Sequence, residues 1–209
     1  MTNPAQHCTP ISHSNLRRTA FALALVAVAM PSAQAQTFSV IHSFSGGEDG
    51  YTPYAGVTID RSGNLYGTTS EYGTDAGGNI YQMKRINGGW ILKTLSNLGN
   101  YQGGFLPFGR PVIGPDGALY ATTFYGGSGF CGEFGCGTVS SLRPPQNPCR
   151  SVSCPWTVTL SCSFSGPDGN GPEFVDPVFD SAGNMYGSTY EGVEGHPFAV
   201  AGVITPSRM

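Results

Sequence analysis

Apolar residues in this chain fall in short runs, separated by clusters of glycine, proline, aspartate and asparagine. Phe38-Ser39-Val40-Ile41-His42-Ser43-Phe44, Trp90-Ile91-Leu92-Lys93-Thr94-Leu95 and Trp156-Thr157-Val158-Thr159-Leu160 are rich in β-branched and aromatic residues, the composition of half-buried strands. After the first 35 residues no stretch sustains an apolar period of 3.6, so helices are not expected there. One pattern occurs three times: a turn glycine, an apolar residue, a tyrosine, a small residue and a hydroxyl pair. It reads Gly63-Asn64-Leu65-Tyr66-Gly67-Thr68-Thr69, then Gly117-Ala118-Leu119-Tyr120-Ala121-Thr122-Thr123, then Gly183-Asn184-Met185-Tyr186-Gly187-Ser188-Thr189. Such self-similarity means a repeat architecture, in which each unit buries its apolar face against a neighbour.

The repeat extends past the motif. Pro53 and Pro107 share one position, which Glu173 occupies beside Pro172 in the third copy; the aromatics Tyr54, Phe108 and Phe174 follow. Glycine-led pairs stand after each motif at Gly78-Asn79-Ile80, Gly137-Thr138-Val139 and Gly202-Val203-Ile204. Asp60-Arg61-Ser62-Gly63-Asn64, Gly114-Pro115-Asp116-Gly117 and Asp180-Ser181-Ala182-Gly183-Asn184 form aligned turns, where a carboxylate bonds forward to the backbone and glycine closes a hairpin. The expected fold is all-β, a β-propeller-like array of three four-stranded repeat units in an incomplete ring, with a β-solenoid of small sheets as the alternative. The units run over 37–90, 91–156 and 157–209, the second carrying insertions that contain cysteines. The run at 37–44 matches the strand after Trp90, whereas the third unit lacks that strand, so in a closed ring the first strand would complete the last sheet. Three units are fewer than propellers use. Either a homodimer completes the ring or the chain is a fragment of a longer array.

Composition and termini place the chain outside the cell. Charged residues are only 11% and the formal net charge is −3, with no basic stripe, which argues against nucleic acid as a partner. Arg17-Arg18, the apolar run from Ala20 to Met30, the breaker Pro31 and the small residues of Ala33-Gln34-Ala35 form a signal peptide over 1–35, with cleavage expected after Ala35. No later segment could span a membrane as an apolar helix. In the oxidising compartment so implied, Cys131 with Cys136 and Cys149 with Cys154 are expected as local disulfides, each worth about 2–3 kcal/mol before strain. A four-thiolate zinc site is the alternative, with spacing unlike the usual knuckles. Cys162 is expected to be a buried small apolar residue.

The Pro-aromatic, Gly-Asn-Leu-Tyr-Gly-Thr-Thr and glycine-led signatures together resemble the Gloeo/Verruco (GloVer) tandem repeat over residues 37–209. That resemblance implies a secreted bacterial repeat protein with a repeat β fold, at an extracellular, cell-surface or periplasmic location. Some members carry a C-terminal anchoring segment. It supplies no established catalytic residues. Two departures stand out: the third copy reads Met-Tyr-Gly-Ser-Thr, and no anchor is recognised after it.

Candidate chemistry is sparse. His42 and His196 lack metal-ligand spacing, and neither a nucleophile elbow nor a zinc-protease helix motif occurs, so no catalytic residue, cofactor or metal is assigned. The hydroxyl pairs are expected to bond across strands rather than act as nucleophiles. Gly46–Gly50 and Gly166–Gly171 carry acids next to glycines but are expected to be ordinary turns rather than calcium loops. The repeat-position aromatics are expected in the core between neighbouring sheets. Tyr72, Tyr101, Phe124, Tyr125 and Tyr190 lie in loops, where rings could stack on a glycan or surface polymer. Arg110 and Asp176 align with Gly56, so that opposite charges would face one surface; with Tyr125 and Tyr190 they are the candidate ligand-surface residues. A binding or scaffold module is the first reading. A polysaccharide-active enzyme using Glu71, Glu133, Glu191 or Glu194 is the second, since glycoside hydrolysis needs facing carboxylates. A truncated copy without activity is the third.

Overall fold

The computed structural model describes residues 37–99, 103–146, 154–192 and 199–204, the last of these as backbone. The expected leader, Cys149, Glu194 and His196 lie outside the described residues. All strands belong to the compact unit that begins at Val40.

The first sheet is a meander of β1 (Thr58–Ile59), β2 (Leu65–Thr69), β3 (Asn79–Ile86) and β4 (Gly89–Asn97). The second repeats it with β5 (Val112–Ile113), β6 (Leu119–Thr123), β7 (Thr138–Arg143) and β8 (Thr157–Ser163). The third has β9 (Val178–Phe179), β10 (Met185–Thr189) and β11 (Ala199–Ile204). All pairings within the sheets are antiparallel, and the described residues contain no helix. The sheets are separate, and none closes on itself. Each sequence motif forms the second strand of its sheet. The run after each tryptophan is the last strand of the sheet before it, so a sheet spans the junction between neighbouring sequence units. Both complete sheets skip one residue at the same place, between Ile80 and Tyr81 and between Val139 and Ser140, so the bulge belongs to the repeat.

One expectation is corrected: the run 37–44 is not a strand, because no strand of the described residues lies beside it to supply a ladder. The third sheet has three strands among the described residues, without the equivalent of β4 and β8.

Strand alternation sends each motif's side chains to two neighbours. Tyr66, Ile80, Leu95 and Leu98 face Leu119, Ala121 and Leu142 of the second sheet, with Trp156 stacked edge-on to Tyr66 at 5.9 Å between ring centroids. On its other face the second sheet presents Tyr120 and Val139 to Phe179 and Met185 of the third. Leu65, Tyr81 and Met83 form a smaller cluster with Phe44, Trp90 and Leu92 on the far side of the first sheet. The buried hydroxyls do more than bond across strands. Thr68 donates to the Gly109 carbonyl at 3.0 Å, Ser70 to Pro107 at 2.8 Å and Thr122 to Val175 at 3.3 Å, each tying a sheet to the linker that leads into the next. Neighbouring sheets are thus joined by an apolar layer and a row of buried hydrogen bonds.

The aspartate turns hold as the sequence implies. Asp60 accepts hydrogen bonds from the Ser62 and Asn64 amides, the Asn64 side chain and the Tyr66 hydroxyl. Asp180 repeats the set with Ala182, Asn184 and Tyr186. In the second copy Ala118 replaces the asparagine, and the Arg143 guanidinium pairs with Asp116 instead. Hydrogen bonds from the Asn184 side chain and backbone lower the Asp180 carboxyl from 3.8 to about 2. Burial raises Asp60 and Asp116, but their hydrogen bonds outweigh it and both end below the usual value. A folded pKa below the unfolded one gives stability that is full above about pH 4 and lost as pH falls toward 2. Thermal melts should therefore fall steeply over that window. Asp60→Asn and Asp180→Asn, which remove a titrating group, should each flatten the fall; unchanged steepness would refute the assignment.

Candidate functional site

In an up-and-down meander, the loop between the second and third strands and the linker to the next sheet leave from the same end. Backbone bonds join each such loop to the segment that leads into its own sheet: Tyr51 N to Glu71 O at 2.8 Å, Phe105 N to Tyr125 O at 3.1 Å and Asn170 N to Glu191 O at 2.8 Å. Each linker then bends at the residue before its proline. Thr52, Leu106 and Gly171 have φ of 51°, 57° and 64°, a left-handed conformation costly for the first two. Their carbonyls accept from Ser70, Phe124 and Tyr190 amides in the three units, which fixes the bend. The extra residue of the third copy, Glu173, is followed by a further left-handed residue, Phe174, at φ 49°.

These bends bring the repeat-position aromatics together. Ring centroids lie 5.8 Å apart for Tyr54 and Phe108, 5.3 Å for Phe108 and Phe174, and 6.4 Å for Tyr54 and Phe174. The three do not fill the core between neighbouring sheets, as the sequence had suggested. They lie against one another, with Tyr54 and Phe174 59% and 62% exposed, because they stand on linkers beyond the strand ends. From Phe108 the rings continue to Phe124 at 5.8 Å, and from there to Tyr125 at 4.6 Å and Tyr190 at 6.4 Å. Tyr125 is half-buried among Phe105 and Phe134, whereas Tyr190 is exposed.

Two residues beyond each of these aromatics stand Gly56, Arg110 and Asp176. The Arg110 amide donates to Asp176 Oδ1 at 2.8 Å and its guanidinium to Oδ2 at 2.9 Å, both side chains remaining accessible. Arg110 runs beside Gly56, where an added Cβ would meet its Cδ at an ordinary contact distance of 3.8 Å. Three sheets thus place one aromatic cluster and one ion pair, reinforced by a backbone hydrogen bond, at a common end.

The residues matched by the Gloeobacter/Verrucomicrobia repeat family are 27–205. The chain belongs to that family. Comparison with curated proteins finds no match.

This Gloeobacter/Verrucomicrobia repeat protein has a disulfide between Cys131 and Cys136, with Cα atoms 5.0 Å apart, in the loop between β6 and β7. The expected pairing of Cys154 involves Cys149 and so falls outside the described residues. Cys162 is half-buried against the second cluster, and burial, reinforced by Asp168, raises its thiol pKa. Among the described residues no three His, Cys, Asp or Glu side chains gather as a metal site. Asp49 instead bonds the amide and hydroxyl of Ser45 and the His42 ring, and Asp168 bonds the amide and hydroxyl of Ser165. Both loops are closed on themselves. Glu191 accepts from the Asn170 side chain at 2.7 Å. The sequence reading missed the convergence of Tyr54, Phe108 and Phe174, although one signal was there: Tyr54 and Phe108 each follow a proline, Phe174 stands two residues after Pro172, and none belongs to an alternating run.

Proposed function

We propose that this chain is an exported binding module, a segment of a propeller-like ring of sheets, whose aromatic end holds a polysaccharide. The carrying observation is the cluster of Tyr54, Phe108 and Phe174, three equivalent rings lying against one another and left half in solvent by bent linkers. Flat apolar rings beside a polar ion pair suit a sugar, which offers C–H faces to aromatics and hydroxyls to Arg110 and Asp176. The propeller-like reading is supported by the repeated sheet-to-linker hydrogen bonds, which pass from each sheet to the next in one direction. Export is supported by the leader-like first 35 residues and by the Cys131–Cys136 disulfide. Two carboxylates at this end are engaged structurally, Asp176 by Arg110 and Glu191 by Asn170, which favours binding over hydrolysis by these two groups.

Pull-down on insoluble polysaccharides and calorimetry with soluble fragments test this reading. Phe174→Ala and Tyr54→Ala should each weaken binding about tenfold, or about 1.4 kcal/mol, with little change in the melt. Retention of full affinity by both variants would remove the aromatic end as the site.

A further inference from the structure

Equivalent positions in the three sheets differ in one respect: whether a neighbouring sheet covers them. Thr68 and Thr122 are buried and bonded to the next linker, whereas Ser188, their equivalent, is exposed. Val112 is half-buried, whereas Val178, its equivalent, is exposed. On the opposite faces, Ile113 and Phe179 pack against the clusters they share with the preceding sheet, whereas Ile59 is 63% exposed. Trp156 stands on Tyr66 of the preceding sheet; Trp90, at the same position, lies beside Leu65, Tyr81 and Met83, with no preceding sheet to meet among the described residues.

The backbone shows the same gap. Val40–Phe44 corresponds in the repeat to Thr94–Leu98 and Leu160–Phe164, whose last amides donate to the carbonyls of Gly78 and Gly137. Phe44 already occupies the place in its cluster that Leu98 and Phe164 hold in theirs. It is a fourth-strand segment without a sheet. The third sheet, in order β11-β10-β9, has an unpaired edge at β11 among the described residues.

We propose that a second copy of this chain fills both gaps. The outer face of the third sheet of each copy packs on the first sheet of the other, and Val40–Phe44 of each pairs along β11 of the other. Tyr186 then meets Trp90 and covers Ile59 of the second copy, as Tyr66 meets Trp156 and Ile113 within one chain. Ser188 donates to the linker carbonyl of Ala55 in the second copy, the equivalent of Gly109 and Val175. This head-to-tail contact, made twice about a two-fold axis, closes rather than propagates. It yields a ring of twice three sheets, within the four to eight blades that propellers use. Strand addition satisfies an edge that would otherwise invite aggregation. The inference rests on the propeller-like arrangement of the sheets, not on the ligand.

Light scattering of the purified protein tests it. The expected mass is twice that of the chain. Ile59→Glu changes a position that is exposed within one copy, and should give the single-chain mass with an unaltered circular dichroism spectrum. Ile91→Glu, on the other face of the same sheet, should keep the double mass. A single-chain mass for the wild type into the high micromolar range, or a ladder of larger species, overturns the closed pair. So does equal dissociation by both variants, which would assign the contact to another surface. Polysaccharide binding measured on the same samples keeps the two ideas apart: a single-chain wild type that still binds would refute the pair alone.

Discussion

Gly137→Ala should lower the unfolding free energy by about 3 kcal/mol, enough to threaten a fold whose total is of order 5–15 kcal/mol. Gly137 sits at φ 92° where the loop enters β7, and an added Cβ would lie 2.6 Å from the Thr123 carbonyl oxygen and 2.6 Å from Pro172 Cδ. Left-handed backbone alone costs a non-glycine residue about 1–2 kcal/mol. The remainder comes from displacing a backbone carbonyl and a proline of the linker into the third sheet, neither of which can swing aside as a flexible side chain would. Gly117 separates the two contributions. Its φ is 77°, yet nothing lies within 4 Å of the Cβ position, so Gly117→Ala should cost only about 1–2 kcal/mol. Urea denaturation of both variants measures the difference, and equal losses would show that close approach at Gly137 does not matter. Gly78, at the same repeat position with φ 92°, meets the carbonyl of Thr69 in the same way, so the constraint belongs to the repeat.

That constraint explains what the sequence could and could not disclose. The strands of each motif were legible because strand-forming composition and turn chemistry are local: Asp60 is close in the chain to Gly63 and Tyr66 and bonded to both. The strand-like composition of Val40–Phe44 was equally legible but misleading, since a ladder needs a partner and composition does not supply one. The candidate site was half visible. Alignment alone set Arg110 and Asp176 at one position, and they form an ion pair. The aromatics were assigned to the core because recurrence usually marks packing. What moved them outward was the bend at Thr52 and Leu106, where non-glycine residues adopt positive φ without any sequence signature. Thr68 and Thr122 were recognised as structural hydroxyls, but their acceptors lie on the following linker, at Gly109 and Val175, a separation that no local rule reaches.

Leu142→Ala should cost about 3 kcal/mol, and its effect should reach both sheets that enclose it. Leu142 is 0% exposed, lies on β7 opposite Leu119 and Val158, and belongs to the cluster of Tyr66, Ile80 and Leu95 that joins the first sheet to the second. Truncation removes a buried isopropyl group and leaves a cavity between two sheets, each held by its own hydrogen-bond ladder, so collapse around the gap is limited. The buried bonds from Thr68 and Ser70 to the linker fix the spacing further. Ile91→Ala, at an exposed position on β4, should change stability by less than about 0.5 kcal/mol. If the stacked sheets unfold as one unit, Leu142→Ala lowers the urea midpoint with the slope unchanged. A biphasic transition would show that the first sheet separates from the second before either melts, and that the layer around Leu142 does not unify the repeats.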